Sequence, residues 1–112
     1  MSKHVTILLL PGALGSTVTI PLEMLNSAND IARAQRHREF CIDVQLAGTN
    51  VGDVILNGGL KVRCPASFAS IESTDLVFIP GLWGNPRAAV RRHRELVKWL
   101  ITQHGRGATL CG

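Results

Sequence analysis

The sequence of 112 residues is short of several residue types that whole classes of protein require. It has no tyrosine, two tryptophans and three phenylalanines, too few for a row of aromatic side chains that would stack on single-stranded nucleic acid. Its three cysteines, Cys41, Cys64 and Cys111, are an odd number without the paired spacing of a zinc site. We therefore predict no disulfide framework, no bound metal and no cofactor.

Long apolar runs and nucleotide-binding motifs are also missing. No apolar run approaches the roughly 20 residues that span a bilayer, and the run at residues 5–10 lacks the length and the cleavage pattern of a secretory signal. Neither GxGxxG nor GK[ST] occurs, which argues against a nucleotide site. These absences predict a cytoplasmic protein without a membrane partner.

The charge is unevenly distributed. The chain has a formal net charge of +4 and a pI near 9.5, and its basic residues concentrate at residues 33–38 and 87–98. Such charge is found in proteins that bind nucleic acids or acidic ligands, but a charged run on a predicted helix is more often a solvated face. We interpret both runs in this second way.

Two apolar runs, residues 5–10 and 75–79, lack polar alternation, which is typical of strands buried on both faces of a parallel sheet. Each ends in a proline-glycine pair, Pro11-Gly12 and Pro80-Gly81, and a third short strand at residues 108–110 leads into Cys111-Gly112. The carboxyl ends of parallel strands meet at one edge of a sheet. The sequence therefore predicts that both pairs and Cys111 lie around one crevice.

The intervening segments complete an α/β pattern. We predict a helix that begins between Ser16 and Pro21, a strand at residues 40–47, and a hairpin or edge extension over residues 54–64. A second helix is predicted to be capped by Asn85 or the residue before it, with Pro86 at its first position. The first helix has apolar residues at three- and four-residue steps: Met24, Leu25, Ala28, Ile31 and Ala32. The order predicts a three-layer α/β/α sandwich, flavodoxin-like, with a mostly parallel sheet that is incomplete in this chain. Cys41 and Cys64 are predicted to be small buried residues.

An ordered set of segments resembles the first two thirds of a PfpI/ThiJ-type domain, in the class I glutamine amidotransferase-like superfamily. The segments are residues 5–12, 21–25, 75–81, the helix with Trp99-Leu100, and 107–112. Pro21-Leu22-Glu23-Met24-Leu25, with Asn29 close behind, is most similar to the branch that forms the amino-terminal half of AraC-family transcriptional regulators. The resemblance implies that residues 1–112 are the first part of one such domain, cut at the nucleophile elbow. It also implies a helix-turn-helix DNA-binding domain beyond Gly112.

The resemblance further implies that Cys111 is the elbow residue and the candidate nucleophile. The backbone N–H groups of Leu82 and Gly112 would face it like an oxyanion hole. In many enzymes of the superfamily an acidic residue lies four positions before the helix proline, where this sequence has Thr17 beside Ser16. The expected histidine is not in the chain. A thiol without a base or a cationic neighbour is a weak nucleophile, which favours binding over catalysis.

The sequence and the resemblance together predict a ligand-sensing regulatory domain of an AraC-family regulator, with a small metabolite at the carboxyl edge of the sheet. We expect a homodimer that contacts DNA only through the absent domain. The alternatives are a cysteine-dependent PfpI-type hydrolase or amidase, and an inert or interaction-only domain in which Cys111 is just a core residue. The candidate ligand-binding residues are Gly12, Thr17, Gly81, Leu82, Trp83, Cys111 and Gly112.

Overall fold

A computed structural model describes residues 2–37 and 39–112. Its strands are β1 (Ser2–Leu9), β2 (Cys41–Gly48), β3 (Gly52–Ile55), β4 (Lys61–Cys64), β5 (Leu76–Phe78) and β6 (Thr109–Cys111). Its helices are α1 (Ser16–Ala34), α2 (Pro86–Arg92) and α3 (Arg94–Gly105), and single 3-10 turns occur at Asn57–Gly59 and Phe68–Ser70.

Four strands form one parallel sheet in the order β2-β1-β5-β6. Strand β1 pairs with β2 along its whole length, from Ser2 opposite Cys41 to Leu9 opposite Gly48, and with β5 through Val5, Thr6 and Ile7. Strands β3 and β4 form a separate antiparallel hairpin, as the sequence predicted. The predicted α/β fold with a mostly parallel sheet is confirmed.

The sheet is covered on both faces. Side chains of residues 7–10, at the end of β1 and just after it, alternate between two apolar clusters. Ile7 and Leu9 pack toward α1 and the β3–β4 hairpin, whereas Leu8 and Leu10 pack toward α3. All four are at most 1% exposed. This burial on both faces explains why the run has no polar alternation.

Helix α1 begins at Ser16 and presents a different face to the sheet from the one predicted. Val18 and Ala32 are buried and Leu25 is half-buried, but Met24 and Ile31 are 67% and 57% exposed. The prediction that Met24 and Ile31 share the buried face is therefore wrong. The apolar arc of α1 is wider than the strip that the sheet covers, so its outer part lies in solvent.

The second predicted helix is two helices. It opens as expected, because the Asn85 side chain accepts a hydrogen bond from the N–H of Arg87 at 2.9 Å and Pro86 occupies the first turn. Helical geometry is then interrupted at His93, which ends α2 and precedes α3. Trp99 of α3 packs edge-on against Phe68, with 5.8 Å between ring centroids.

Two of the three cysteines test the prediction of burial. Cys64 is buried, as predicted, and its thiol donates to the Ala66 carbonyl at 3.1 Å. Cys41 is exposed, so its predicted burial is wrong. The reason is its place at the first residue of an edge strand, where only one neighbouring strand covers it. Within the described residues, no helix has the length and apolar character to cross a membrane.

Candidate functional site

The carboxyl edge of the parallel sheet brings together the loops that follow β1 and β5. These strands are neighbours, and their crossover helices lie on opposite faces of the sheet, which is the arrangement that opens a ligand crevice in α/β folds. The Leu14 N–H donates to the Gly81 carbonyl at 2.8 Å, and Ala13 and Leu82 form an antiparallel bridge. The two proline-glycine corners therefore adjoin, as the sequence predicted.

Thr17, in the first turn of α1, joins the two loops. Its hydroxyl accepts a hydrogen bond from the Gly81 N–H at 2.9 Å and donates to the Leu14 carbonyl at 2.6 Å. One uncharged side chain thus satisfies one donor and one acceptor of the half-buried backbone. Thr17 fixes the position of the β5 loop against α1.

Gly81 is held closely between these neighbours. A Cβ atom at this position would lie 3.2 Å from Thr17 Cγ2 and 3.3 Å from Leu14 Cδ1, which is closer than ordinary van der Waals contact. The next residue, Leu82, packs its side chain against both apolar clusters. Its N–H makes no hydrogen bond to any other described residue, so a donor is available at the point where the two loops meet.

The β3–β4 hairpin supports the β1 corner, a role that the sequence did not reveal. The Gly12 N–H donates to the Ile55 carbonyl at 2.9 Å, and the Asn57 N–H donates to the Ala13 carbonyl at 2.9 Å. Asn57-Gly58-Gly59 indicates a tight turn in the sequence, but nothing in that signal tells which part of the sheet the turn contacts.

Two of the candidate ligand-binding residues are exposed at the rim of this edge, Gly12 and Trp83. Gly12 is exposed and has a φ of +76°, in the left-handed region that favours glycine. Trp83 is 81% exposed. Its indole ring is available to an apolar ligand group.

Cys111 and Gly112 lie further along the same edge. Cys111 ends β6, opposite Phe78 of β5, and its carbonyl accepts a hydrogen bond from the Ile79 N–H at 2.7 Å. The thiol is exposed and forms no hydrogen bond to another described residue. A Cβ atom on Gly112 would be 4.0 Å from Ile79 Cβ. The structure thus joins Thr17, Gly81 and Leu82 directly, whereas Cys111 and Gly112 adjoin the start of the β5 loop.

The electrostatic character of the edge follows from its composition. Residues 10–17, 79–85 and 110–112 contain no Asp, Glu, His, Lys or Arg, so the thiol of Cys111 is their only titratable side chain. Among the described residues, no group of three or more His, Cys, Asp or Glu side chains is placed to hold a metal ion. These segments offer backbone donors and apolar surface for binding, and apart from the Cys111 thiol their side chains supply no acid or base.

Comparisons with known proteins identify the fold. No protein-family model matches the sequence, and a search of curated proteins found no match. Among solved structures, a proposed transcriptional regulator from Vibrio parahaemolyticus is 22% identical with a TM-score of 0.76, and 98% of this chain matches 55% of that protein. DJ-1beta from Drosophila melanogaster is 24% identical with a TM-score of 0.77, over 98% of this chain and 54% of that protein.

An oxidised DJ-1 from Toxoplasma gondii is 18% identical, with a TM-score of 0.72, over 96% of this chain and 53% of that protein. The chain thus spans about half the length of each of these structures. At these identities the similarity concerns the fold. The chain therefore has the α/β fold of DJ-1/PfpI-type domains, in agreement with its resemblance to the PfpI/ThiJ type.

Proposed function

We propose that this chain is the ligand-sensing regulatory domain of an AraC-family transcriptional regulator and acts in the cytoplasm. The proposal rests on one observation: the Thr17 hydroxyl, at the position where many enzymes of the superfamily have a carboxylate, is hydrogen-bonded to the Gly81 N–H and the Leu14 carbonyl. It holds the two loops together and provides no base for Cys111. A thiol without such a partner is better suited to a binding site than to hydrolysis.

The ligand is a small metabolite with a carboxylate or amide oxygen. This oxygen accepts a hydrogen bond from the Leu82 N–H, and the exposed Trp83 ring covers an apolar part of the molecule. Gly12, Cys111 and Gly112 provide the remaining boundary of the crevice. A neutral lining with a few directed donors and one aromatic ring is typical of small-molecule sites.

Signal transmission follows from the link between Gly81 and Thr17. A ligand that pulls on the Leu82 N–H displaces Gly81, and the Thr17 hydroxyl transfers this displacement to the first turn of α1. The ligand then favours the α1 position that it binds best, which is a shift of a conformational equilibrium.

The regulator functions as a homodimer in this proposal. The outer face of α1 contains Ile20, Met24 and Ile31, which are 54%, 67% and 57% exposed. An apolar row of this kind is a candidate contact between two copies, and two-fold dimers are the commonest oligomers. The helix moved by Thr17 would then also form the dimer contact. In this proposal DNA is bound by a helix-turn-helix domain beyond Gly112.

The alternative function is a cysteine-dependent hydrolase or amidase of the PfpI type. One observation favours it, since the Cys111 thiol is exposed at the end of a sheet strand, where reactive groups gather in α/β folds. Catalysis would require that a base reach this thiol from outside the described residues.

Alkylation kinetics distinguish the two functions. In a Cys41→Ser background, Cys111 is the only exposed cysteine, because Cys64 is buried. For a sensor, we expect Cys111 to react with iodoacetamide at the rate of free glutathione at pH near 7. A rate about 10-fold faster or more would indicate an activated thiolate, since a free thiol is only about 3% ionised at pH 7 and full ionisation raises its rate at most about 30-fold, and this result would support the hydrolase.

Ligand binding is tested by thermal unfolding with amino acids, their amides and short carboxylates as probes. A probe at about 100 times its Kd stabilises the protein by about 2.7 kcal/mol, and Trp83 fluorescence should change at the same concentrations. Trp83→Ala should weaken binding, whereas Cys111→Ser should preserve it. Hydrolysis of one of these amides that disappears in Cys111→Ser would contradict the sensor proposal.

A further inference from the structure

The net charge of the protein comes from one short segment. Residues 86–98, in α2 and the start of α3, contain five basic residues and one acidic residue. The chain has 12 basic and 8 acidic residues in total, which leaves seven of each elsewhere. The rest of the chain is therefore neutral overall, and the formal charge of +4 lies on this segment.

Four arginines of this segment form what we call the arginine surface: Arg87, Arg91, Arg92 and Arg94. All four are exposed, and none makes an ion pair with another described residue. The fifth basic residue, Lys98, lies 3.4 Å from Glu95 and is partly neutralised. The arginine surface is thus a group of uncompensated positive charges.

Helical spacing places several of these side chains in pairs. Arg87 and Arg91 are one turn apart on α2 and flank a shallow groove of about 320 Å³ that Pro86 and Val90 also line. On α3, after the break at His93, Arg94 and Lys98 are also one turn apart. Side chains one turn apart on a helix are separated by about 6 Å along its axis, whereas duplex DNA carries one negative charge per roughly 1.7 Å of its axis. Several phosphates lie within that length.

We propose that the arginine surface binds the phosphate backbone of double-stranded DNA without regard to base sequence. The planar guanidinium group donates two parallel hydrogen bonds to a phosphate, and it keeps its charge at any physiological pH. Contacts to phosphates position a protein on DNA and add affinity, while base contacts determine sequence preference. This role goes beyond ligand sensing and does not depend on it. It replaces the expectations from the sequence that this basic run is only a solvated face and that DNA is contacted only through the absent domain.

The composition of the segment distinguishes duplex DNA from other anionic partners. Residues 86–98 contain no Trp, Tyr or Phe, and the one strongly exposed ring nearby, Trp83, does not make the series of stacking side chains that single-stranded nucleic acid requires. Interfaces between proteins have few charges and many aromatic residues at their centres. Here the only large apolar side chain that is strongly exposed is Val90, at 55%. The phosphate backbone of a duplex fits this surface best.

The experiment is fluorescence anisotropy of the whole 112-residue protein with labelled duplexes of about 20 base pairs and two unrelated sequences, between about 50 and 200 mM salt. With four phosphate contacts, the logarithm of the association constant should fall with log salt at a slope of about −3.6, equally for both sequences. Arg87→Ala/Arg91→Ala should reduce the slope by about 1.8 and weaken binding about 60-fold near 0.1 M salt. Arg87→Lys/Arg91→Lys should retain the slope, since both charges remain.

The matched control removes the same charge elsewhere. Lys3→Ala/Arg63→Ala changes two exposed basic residues of β1 and β4 that make no ion pair with described residues. We expect it to leave the slope unchanged, and circular dichroism should show that all variants are folded. Equal losses in both double variants would overturn the proposal, because the attraction would then be due to net charge alone. No duplex binding at about 50 mM salt, or tighter binding of a glutamate-rich peptide than of the duplex, would overturn it as well.

Discussion

Two strand–corner–helix units in this molecule contain the same proline-glycine pair after the strand. The glycine of the pair is needed for a different physical reason in each unit. The first is β1, Pro11-Gly12 and α1, and the second is β5, Pro80-Gly81 and α2–α3. Gly12 has a φ of +76° with no atom within 4 Å of a hypothetical Cβ, whereas Gly81 would place a Cβ 3.2 Å from Thr17 Cγ2. Glycine is required for backbone conformation at the first corner and for close packing at the second.

The two units are joined by Thr17. This residue belongs to the first unit by position in the chain, but its hydroxyl bonds to the backbone of both loops. The stability of the second corner therefore depends on a side chain of the first unit. Substitutions at Thr17, Gly81 and Gly12 measure this dependence.

The largest effect is expected for Thr17→Val. Valine has nearly the same shape but leaves the Gly81 N–H without an acceptor and the Leu14 carbonyl without its donor, both in half-buried positions. We expect the free energy of unfolding to fall by about 2 kcal/mol. Urea denaturation followed by circular dichroism measures this change.

The control for this variant is Thr17→Ser. Serine retains the hydroxyl and loses only the methyl group, so the expected loss is about 0.5–1 kcal/mol. If Thr17→Val were as stable as the wild type, the hydrogen bonds of Thr17 would not hold the corner together.

A smaller effect is expected for Gly81→Ala. The new methyl group would be 3.2 Å from Thr17 Cγ2 and 3.3 Å from Leu14 Cδ1, so these side chains must shift. Crowding of this kind costs about 1–2 kcal/mol, measured by urea denaturation.

The double variant Thr17→Ser/Gly81→Ala provides the test of this cause. Serine has no Cγ2, so the crowding is partly relieved in the double variant. Its loss in the free energy of unfolding should therefore be smaller than the sum of the losses in Thr17→Ser and Gly81→Ala. Strictly additive losses would show that Thr17 does not limit the space at Gly81.

Gly12→Ala should have a smaller effect still. Alanine at a φ of +76° is strained by about 1 kcal/mol, and part of this is offset because alanine restricts the unfolded chain. Gly12→Asn should cost less, since asparagine tolerates this region better. An equal loss for alanine and asparagine, measured by thermal unfolding, would point to a contact of Gly12 instead of its conformation.

Most of the fold could be predicted from the sequence. Uninterrupted apolar runs such as residues 5–10 have few alternatives to a strand buried on both faces, and Asn85-Pro86 is a specific start signal for a helix. The exposure of Met24 and Ile31 could not be predicted, because periodicity shows that a helix is amphipathic but not how wide a strip its neighbour covers. The break at His93 has no proline or glycine to announce it.

The candidate site could be predicted only in its location. Two proline-glycine pairs after buried strands placed the corners at one edge, and the resemblance directed attention to Thr17. The reciprocal hydrogen bonds of Thr17 and the contact of the β3–β4 hairpin with Gly12 depend on distances between segments far apart in sequence. Local patterns contain no information about such distances.

The smallest effect on stability is expected at His93, where the helical part of the second unit is interrupted. The helix of the first unit, α1, has no such interruption. Burial lowers the pKa of His93 below its ordinary value of 6.5, and the positive charge of Arg92 lowers it further. Below pH 6.5 the unfolded chain therefore takes up a proton at this residue before the folded chain does, so the free energy of unfolding should decrease as the pH falls from about 7 to about 5. The loss should stop once the pH is below the pKa of the folded state. His93→Gln should flatten this part of the profile, and Arg92→Ala should flatten it partly. A profile in His93→Gln that matches the wild type would mean that acid destabilisation comes from other groups, and that the junction of α2 and α3 does not respond to pH.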